Sequence, residues 1–213
     1  MSALDATVPY PWPYDSDVTP GFDPARLALL ITGAQARWSD LPDAPRVLSD
    51  LADLVGSLRP LGVLVAMVRH AHPAKAAPGP SKDLPDYGSV DWDLALPSAC
   101  ADVVVDAPGY DGFRSGWLDP ELHVAGRDRL LLAGLAYETT VDTTLRSAND
   151  RGYECLTLTD LVVHLDPAAG VRALNSITMS GGIFGAIGTS TAVRAALGVP
   201  LERRFPQSHP REQ

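Results

Sequence analysis

Short continuous apolar runs alternate with amphipathic stretches along most of this chain. Residues 27–31 (LALLI), 63–68 (VLVAMV), 103–105 (VVV), 130–133 (LLLA) and 155–158 (CLTL) are such runs, and 183–187 (IFGAI) adds a sixth. Runs of this length, bounded by polar or turn residues, mark strands buried on both faces, as in a parallel sheet. Between them Val47, Leu48, Leu51, Leu54, Val55 and Leu58 recur at helical spacing and predict a helix with one face on the sheet. Residues 140–149 predict another, with Val141, Thr144, Leu145 and Ala148 inward. Residues 168–179 predict a third that stops at Gly181-Gly182, and 190–197 a last one. The alternation implies an α/β three-layer sandwich, a largely parallel sheet of about six strands flanked by helices.

Two regions break the pattern. Pro9, Pro11, Pro13, Pro20 and Pro24 exclude helix and central strand from the first 24 residues, which predict an extended arm anchored by Tyr10, Trp12 and Tyr14. Residues 70–97 have no apolar period and are punctuated by Pro78, Gly79, Pro80, Pro85 and Gly88. A loop beyond about 12–15 residues is uncommon unless functional or disordered, so this one is expected near a functional rim. The organisation expected is an arm over 1–24, one domain over 25–200 and a polar tail over 201–213.

Composition narrows the function. The chain has 213 residues, 46% hydrophobic and 20% charged, with a net charge of −9. No stretch concentrates Lys and Arg, so neither nucleic acid nor an anionic membrane is an expected partner. No apolar run approaches a membrane span, and the acidic, proline-rich start lacks the features of a secretory signal. Cys100 and Cys155, beside or within strands, predict small buried residues and no disulfide framework. A cytoplasmic protein is expected.

The most informative stretch is 130–160, LLLAGLAYETTVDTTLRSANDRGYECLTLTD. An apolar strand ends in Gly134, a Tyr137-Glu138-Thr139 link follows, then a helix and a second strand. This closely resembles the active-site segment of the isochorismatase-like cysteine hydrolase superfamily, above all its biuret and ureidoacrylate amidohydrolase branch. There the pattern is G-V-T-T-x-V-C-V-x-T-T-x-R-x-A-N-D-R-G-[FY]-E-C-L. The opening P-Y-P-W-P-Y-D and Gly181-Gly182-Ile183-Phe184-Gly185 resemble the same branch.

The resemblance implies a catalytic aspartate after the first strand, a lysine after the third and a cysteine after the fourth, with the cysteine forming an acyl intermediate. In this sequence those places are held by Gly33, Ala107 and Thr140. Asp106 neighbours Ala107 but should face the other side of the strand, and its charge is opposite to a lysine's. Thr139-Thr140-Val141-Asp142 fits a capping box, with Thr139 as N-cap and Asp142 at N3, which makes Thr140 the first helical residue. Other branch positions are partly kept. Gln35 and Trp38 survive after the first strand, Arg69 and His72 after the second, and Ser180 replaces a glutamine before the Gly-Gly pair.

His70 and His72, two residues apart with no fixed carboxylate, make a poor closed metal site. Asp83, Asp86, Asp91 and Asp93 predict a solvated acidic loop. No nucleotide-binding glycine fingerprint is present, so neither metal nor cofactor is expected. The leading expectation is a catalytically inactive member of the family that acts by binding. Its partner would be a small ligand or an active paralogue, in a homo- or hetero-oligomer. The alternative is a repurposed enzyme that works without a covalent cysteine intermediate on a small polar or cyclic substrate. For either role the pocket candidates are Gln35, Trp38, Arg69, His70, Tyr137, Glu138, Thr139 and Ser180.

Overall fold

The computed structural model describes residues 22–72 and 83–200. The proposed arm up to residue 21, part of the proline-rich loop (73–82) and the tail lie outside the described residues.

Each apolar run forms a strand: β1 Leu27–Thr32, β2 Leu64–Ala71, β3 Val103–Pro108, β4 Arg129–Gly134, β5 Glu154–Val162 and β6 Ala186–Gly188. The helices are α1 Ala44–Leu58, α2 Leu118–Val124, α3 Thr140–Asp150, α4 Pro167–Gly182 and α5 Ser190–Ala196. One six-stranded sheet runs in the order β3-β2-β1-β4-β5-β6, and every pairing is parallel.

Side chains alternate across the strands, so each strand feeds two cores. On one face Leu27, Leu29, Ile31, Val65, Met67 and Leu131 meet Val47, Leu51, Leu54 and Leu58 of α1 and Val193 of α5. On the other, Ala28, Leu30, Ala66, Val68, Leu130 and Leu132 meet α2, α3 and α4 through Leu118, Leu122, Val141, Leu145 and Ile177. Central strands buried on both sides explain why their sequences read as unbroken apolar runs.

Three expectations need correction. Helix α2 carries only two buried residues, Leu118 and Leu122, one turn apart; seven residues are too few for a period to show. Strand β5 continues past its apolar run through Thr159 and Asp160. There the Asp160 carboxylate accepts the backbone N–H (2.9 Å) and the hydroxyl (2.6 Å) of Ser190 and so caps α5. The last strand starts at Ala186, because Ile183 to Gly185 belong to the turn that leaves α4. Among the described residues no helix is long and apolar enough to cross a membrane.

Candidate functional site

In a sheet of this order the chain leaves β1 for one side and returns to β4 on the other. The carboxyl ends of these two adjacent strands flank the crevice where open parallel sheets bind ligands. Gly33 follows β1, and Thr140 stands at the start of the helix after β4. They do converge. A Cβ on Gly33 would lie 2.8 Å from the Thr140 hydroxyl and 2.8 Å from the Leu135 carbonyl oxygen. The Gly33 backbone, at φ +65°, is also one that L side chains rarely adopt.

Thr140 is 0% exposed. Its Oγ1 donates to the Leu135 carbonyl at 2.5 Å and accepts from the Thr32 hydroxyl at 3.3 Å. That hydroxyl is neither solvent-facing nor beside a base. The link Leu135–Thr139 turns sharply at Ala136, the one non-glycine residue with positive φ among those described (φ +54°). Its carbonyl accepts both the Thr139 N–H (3.0 Å) and the Thr140 N–H (2.9 Å). Oxyanion stabilisation needs N–H donors aimed at the reacting atom, and these two are committed within the chain.

The capping box does not form. Thr139 is the N-cap by position, but its hydroxyl donates to the Ala136 carbonyl (3.0 Å) and makes no capping bond. Asp142 instead receives Arg146 through both carboxylate oxygens, at 3.0 and 3.1 Å. The backbone at Thr139 is already in the helical region (φ −110°, ψ −61°), unlike the extended backbone of an effective N-cap.

Ala107 is fully buried in the apolar cluster that holds Val68, Phe113 and Val141. Its neighbour Asp106 faces the other way, as expected, and pairs with Arg69 at 2.6 and 3.1 Å. Arg69 also lies over the Trp92 ring, 3.6 Å from its centre.

Several pocket candidates hold a strap, residues 83–97, across the ends of β1 and β2. Gln35, fully buried, donates from Nε2 to the carbonyls of His70 and Trp92, each at 3.0 Å, and accepts the His70 N–H at 2.7 Å. The Ala36 N–H reaches the Asp93 carbonyl and the Ala95 N–H the Ala34 carbonyl, both at 2.9 Å. Trp38 packs in the α1-side core. His70 is buried with Nδ1 at 2.9 Å from the Gly109 carbonyl, and burial lowers its pKa to about 4. His72 lines a cavity of about 300 Å³ with Arg37, Asp83 and Asp91, and Asp83 is paired with Arg37. Among the described residues no group of three or more His, Cys, Asp or Glu side chains is arranged to hold a metal ion.

Tyr137 and Glu138 point toward α4. Tyr137 is buried, which raises its phenol pKa, and its ring meets the His164 ring edge-on at 5.1 Å. Glu138 takes the His164 Nδ1 at 3.0 Å and the Leu165 N–H at 2.8 Å. His164 and Trp92 are site residues that sequence reasoning missed. Each is isolated in sequence, and only the fold brings it to its partner. The side chain of Ser180 lies outside the described residues. Neither cysteine substitutes for a nucleophile in this crevice: Cys155 is buried in β5, which pushes its thiol up, and Cys100 is half-buried in a turn before β3.

Comparison with known proteins agrees with this architecture. The Isochorismatase domain model matches residues 27–191. A ureidoacrylate amidohydrolase of Methylobacterium radiotolerans is 33% identical over 113 residues, covering 51% of this chain and 43% of its own. A streptothricin hydrolase of Streptomyces noursei is 32% identical over 132 residues, covering 59% and 50%. The chain thus spans about half the length of the curated relatives it matches. Among solved structures, an isochorismatase family protein from Burkholderia thailandensis superposes with a TM-score of 0.69 at 24% identity, over 82% of this chain and 97% of the other. A pyrazinamidase of Pyrococcus horikoshii in complex with zinc gives 0.65 at 22%, over 77% and 99%. From Gly33 to the Ala136 turn, the crevice described above is therefore the crevice of a family fold, and the chain belongs to the isochorismatase family, with its resemblance strongest toward the ureidoacrylate amidohydrolase branch.

Proposed function

We propose that this protein is a member of the hydrolase family that has lost thiolate chemistry and acts by binding, as a cytoplasmic partner or regulatory subunit of an active paralogue. The observation that carries this reading is the state of Thr140. Its hydroxyl is sealed from solvent and committed to the Leu135 carbonyl. Gly33 and Ala107 bring no acid, base or charge to it. A nucleophile needs an adjacent base and access to a carbonyl carbon, and both are missing around Thr140.

Of the two binding roles, the partner role has more support than a small ligand at these three positions. Gly33, Ala107 and Thr140 are all buried, and the strap lies over the neighbouring strand ends. The test has two arms. Hydrolysis of ureidoacrylate and of streptothricin should equal the buffer rate, because losing one member of a catalytic unit already removes most of the rate enhancement. Turnover that disappears in Thr140→Ala would overturn the reading. Co-expression with an active family hydrolase from the same genome should give a mixed oligomer by light scattering; two separate species would count against the subunit role.

One observation favours a second reading, that of a repurposed enzyme. The Glu138 carboxylate holds Nδ1 of His164, an arrangement that orients an imidazole for proton transfer, and the two side chains are 15% and 23% exposed. On that reading His164→Gln abolishes turnover of a substrate found by screening, while Thr140→Ala leaves it intact.

A further inference from the structure

Helix α4 presents a surface unlike that of the other helices. Pro167, Val171, Asn175, Met179 and Ile183 follow one another at intervals of four residues, and all five are exposed. Ile183, the C-cap, keeps a helical backbone (φ −57°, ψ −29°) and so continues the line. Val171, Met179 and Ile183 are 59%, 51% and 53% exposed, whereas the other side of the helix buries Ile177 and half-buries Ala173 and Leu174 against the sheet. Residues four apart on a helix form a ridge, so these five side chains make one continuous row along the outer surface.

The charge along this helix also sets it apart. Helices α1, α2 and α3 carry two carboxylates each: Asp50 and Asp53, Asp119 and Glu121, Asp142 and Asp150. Helix α4, the longest at 16 residues, carries none, and Arg172 is its one charged residue. The most exposed apolar side chains elsewhere, Val90, Trp117 and Val124, stand close in sequence to Asp91, Asp119 and Glu121. Exposed apolar surface gathered in one patch marks a place of contact. Two copies of a chain with net charge −9 repel each other, and they meet most readily where neither brings a carboxylate.

We infer that α4 is the face through which two copies of this chain associate, antiparallel about a two-fold axis at Asn175. The ridge is symmetric about that residue. A two-fold axis there sets Val171 against Met179 of the partner subunit, Pro167 against Ile183 of the partner subunit, and Asn175 against its own copy, as an isologous contact requires. A side-chain amide both donates and accepts, so the two Asn175 side chains pair with each other. A polar residue at the centre of an apolar contact also fixes its register. Arg172 comes over the C-terminal half of the facing helix, where the backbone dipole favours a cation. Interlocked ridges of this four-residue kind are the commonest way helices pack in globular proteins. The inference stands apart from the subunit role proposed above, because a chain paired through α4 keeps the rest of its surface for a paralogue.

The test is light scattering of the full chain over a range of micromolar concentrations. The parent should weigh twice the 22.6 kDa of one chain. Val171→Glu brings a carboxylate from each copy into the contact and should give a monomer with unchanged far-ultraviolet circular dichroism. Met179→Glu makes the same test if the first variant folds poorly. Val124→Glu, at a still more exposed site on α2, should remain a dimer. The axis itself is tested by Asn175→Cys combined with Cys100→Ser. Helix axes about 8–10 Å apart, with Cα atoms about 2.3 Å from each axis, bring facing Cα atoms to roughly 3–6 Å, within reach of a disulfide. Mild oxidation should therefore link two chains of that variant, while Cys100→Ser alone stays unlinked. The inference fails if the parent is a monomer throughout, if Val171→Glu and Met179→Glu remain dimers, if Val124→Glu dissociates equally, or if Asn175→Cys does not cross-link.

Discussion

At the scale of single residues, the informative contrast is between two adjacent threonines. A sequence pattern assigns the stabilising role to Thr139 as a cap, and the structure assigns it to Thr140. The Thr140 hydroxyl ties the helix start to the end of β4 in a fully buried place, whereas Thr139 makes one bond within its own turn. Thr140→Ala should therefore cost about 1–3 kcal/mol, since it leaves the buried Leu135 carbonyl without that donor. Thr139→Ala should cost less than about 0.5 kcal/mol, the usual range for substitutions away from special features. Equilibrium unfolding in urea measures both, and the reverse order would restore the capping box. Replacement of Thr140 by cysteine gives a second expectation. A thiol at a helix N-terminus is normally acidified, but complete burial acts the other way and should dominate here. Thr140→Cys should resist a thiol reagent in the native protein and react after unfolding; fast native labelling would show that the crevice opens. Gly33→Ala tests the same packing, because its Cβ would press on the Leu135 carbonyl at a strained φ. The identities at these three positions were legible in the sequence through the family pattern. That Thr140 fills the space a side chain at Gly33 would need was not, because it depends on distances across the sheet.

At the scale of elements, the sequence revealed whatever repeats with a period. Strands buried on both faces and the α1 stripe were legible because burial there is uniform or strictly periodic. The strap was legible only as a loop. What pins it is a set of single contacts, Gln35 to Trp92 and Arg69 to Trp92, with no periodic signature. Gln35, Arg69 and His70 looked like pocket residues because they sit at strand ends, where ligands also gather. Their polar atoms instead serve the strap and the neighbouring strand ends, except His70 Nε2, which is buried without a partner among the described residues. Gln35→Leu should then leave the His70 N–H and two carbonyls without partners, costing about 2–4 kcal/mol. It should also expose residues 83–97 to limited proteolysis. Arg69→Ala loses a half-exposed ion pair and a stack, worth about 1 kcal/mol after solvent screening. Equal proteolytic resistance of parent and Gln35→Leu would show that the strap is held by other contacts.

At the scale of the whole molecule, the fold presents two unlike edges. At the carboxyl edge the strap covers buried polar groups, His70 among them, beside the cavity that His72 lines, and at the amino edge a smaller cleft opens beside Arg127 and Arg151. The covered edge has a consequence for acid stability through His70. In the unfolded chain its imidazole titrates near 6.5, and in the fold burial lowers this to about 4, against the opposing pull of the Gly109 carbonyl. Between these values the unfolded state binds a proton that the folded state does not. The contribution is fully present above about pH 6.5 and is lost progressively as the pH falls to about 4. From pH 7 to pH 5 the stability attributable to this residue should drop by about 2 kcal/mol. Carboxylates also titrate as the pH falls, so the comparison must be with a variant. His70→Gln removes the titrating ring, and although it is less stable overall, its decline between pH 7 and pH 5 should be about 2 kcal/mol smaller than that of the parent. Urea unfolding of both proteins at the two pH values measures the difference. Parallel declines would mean that the imidazole is reached by solvent or proton-accessible in the fold, and the strap would then be open over His70 where the structure has it closed.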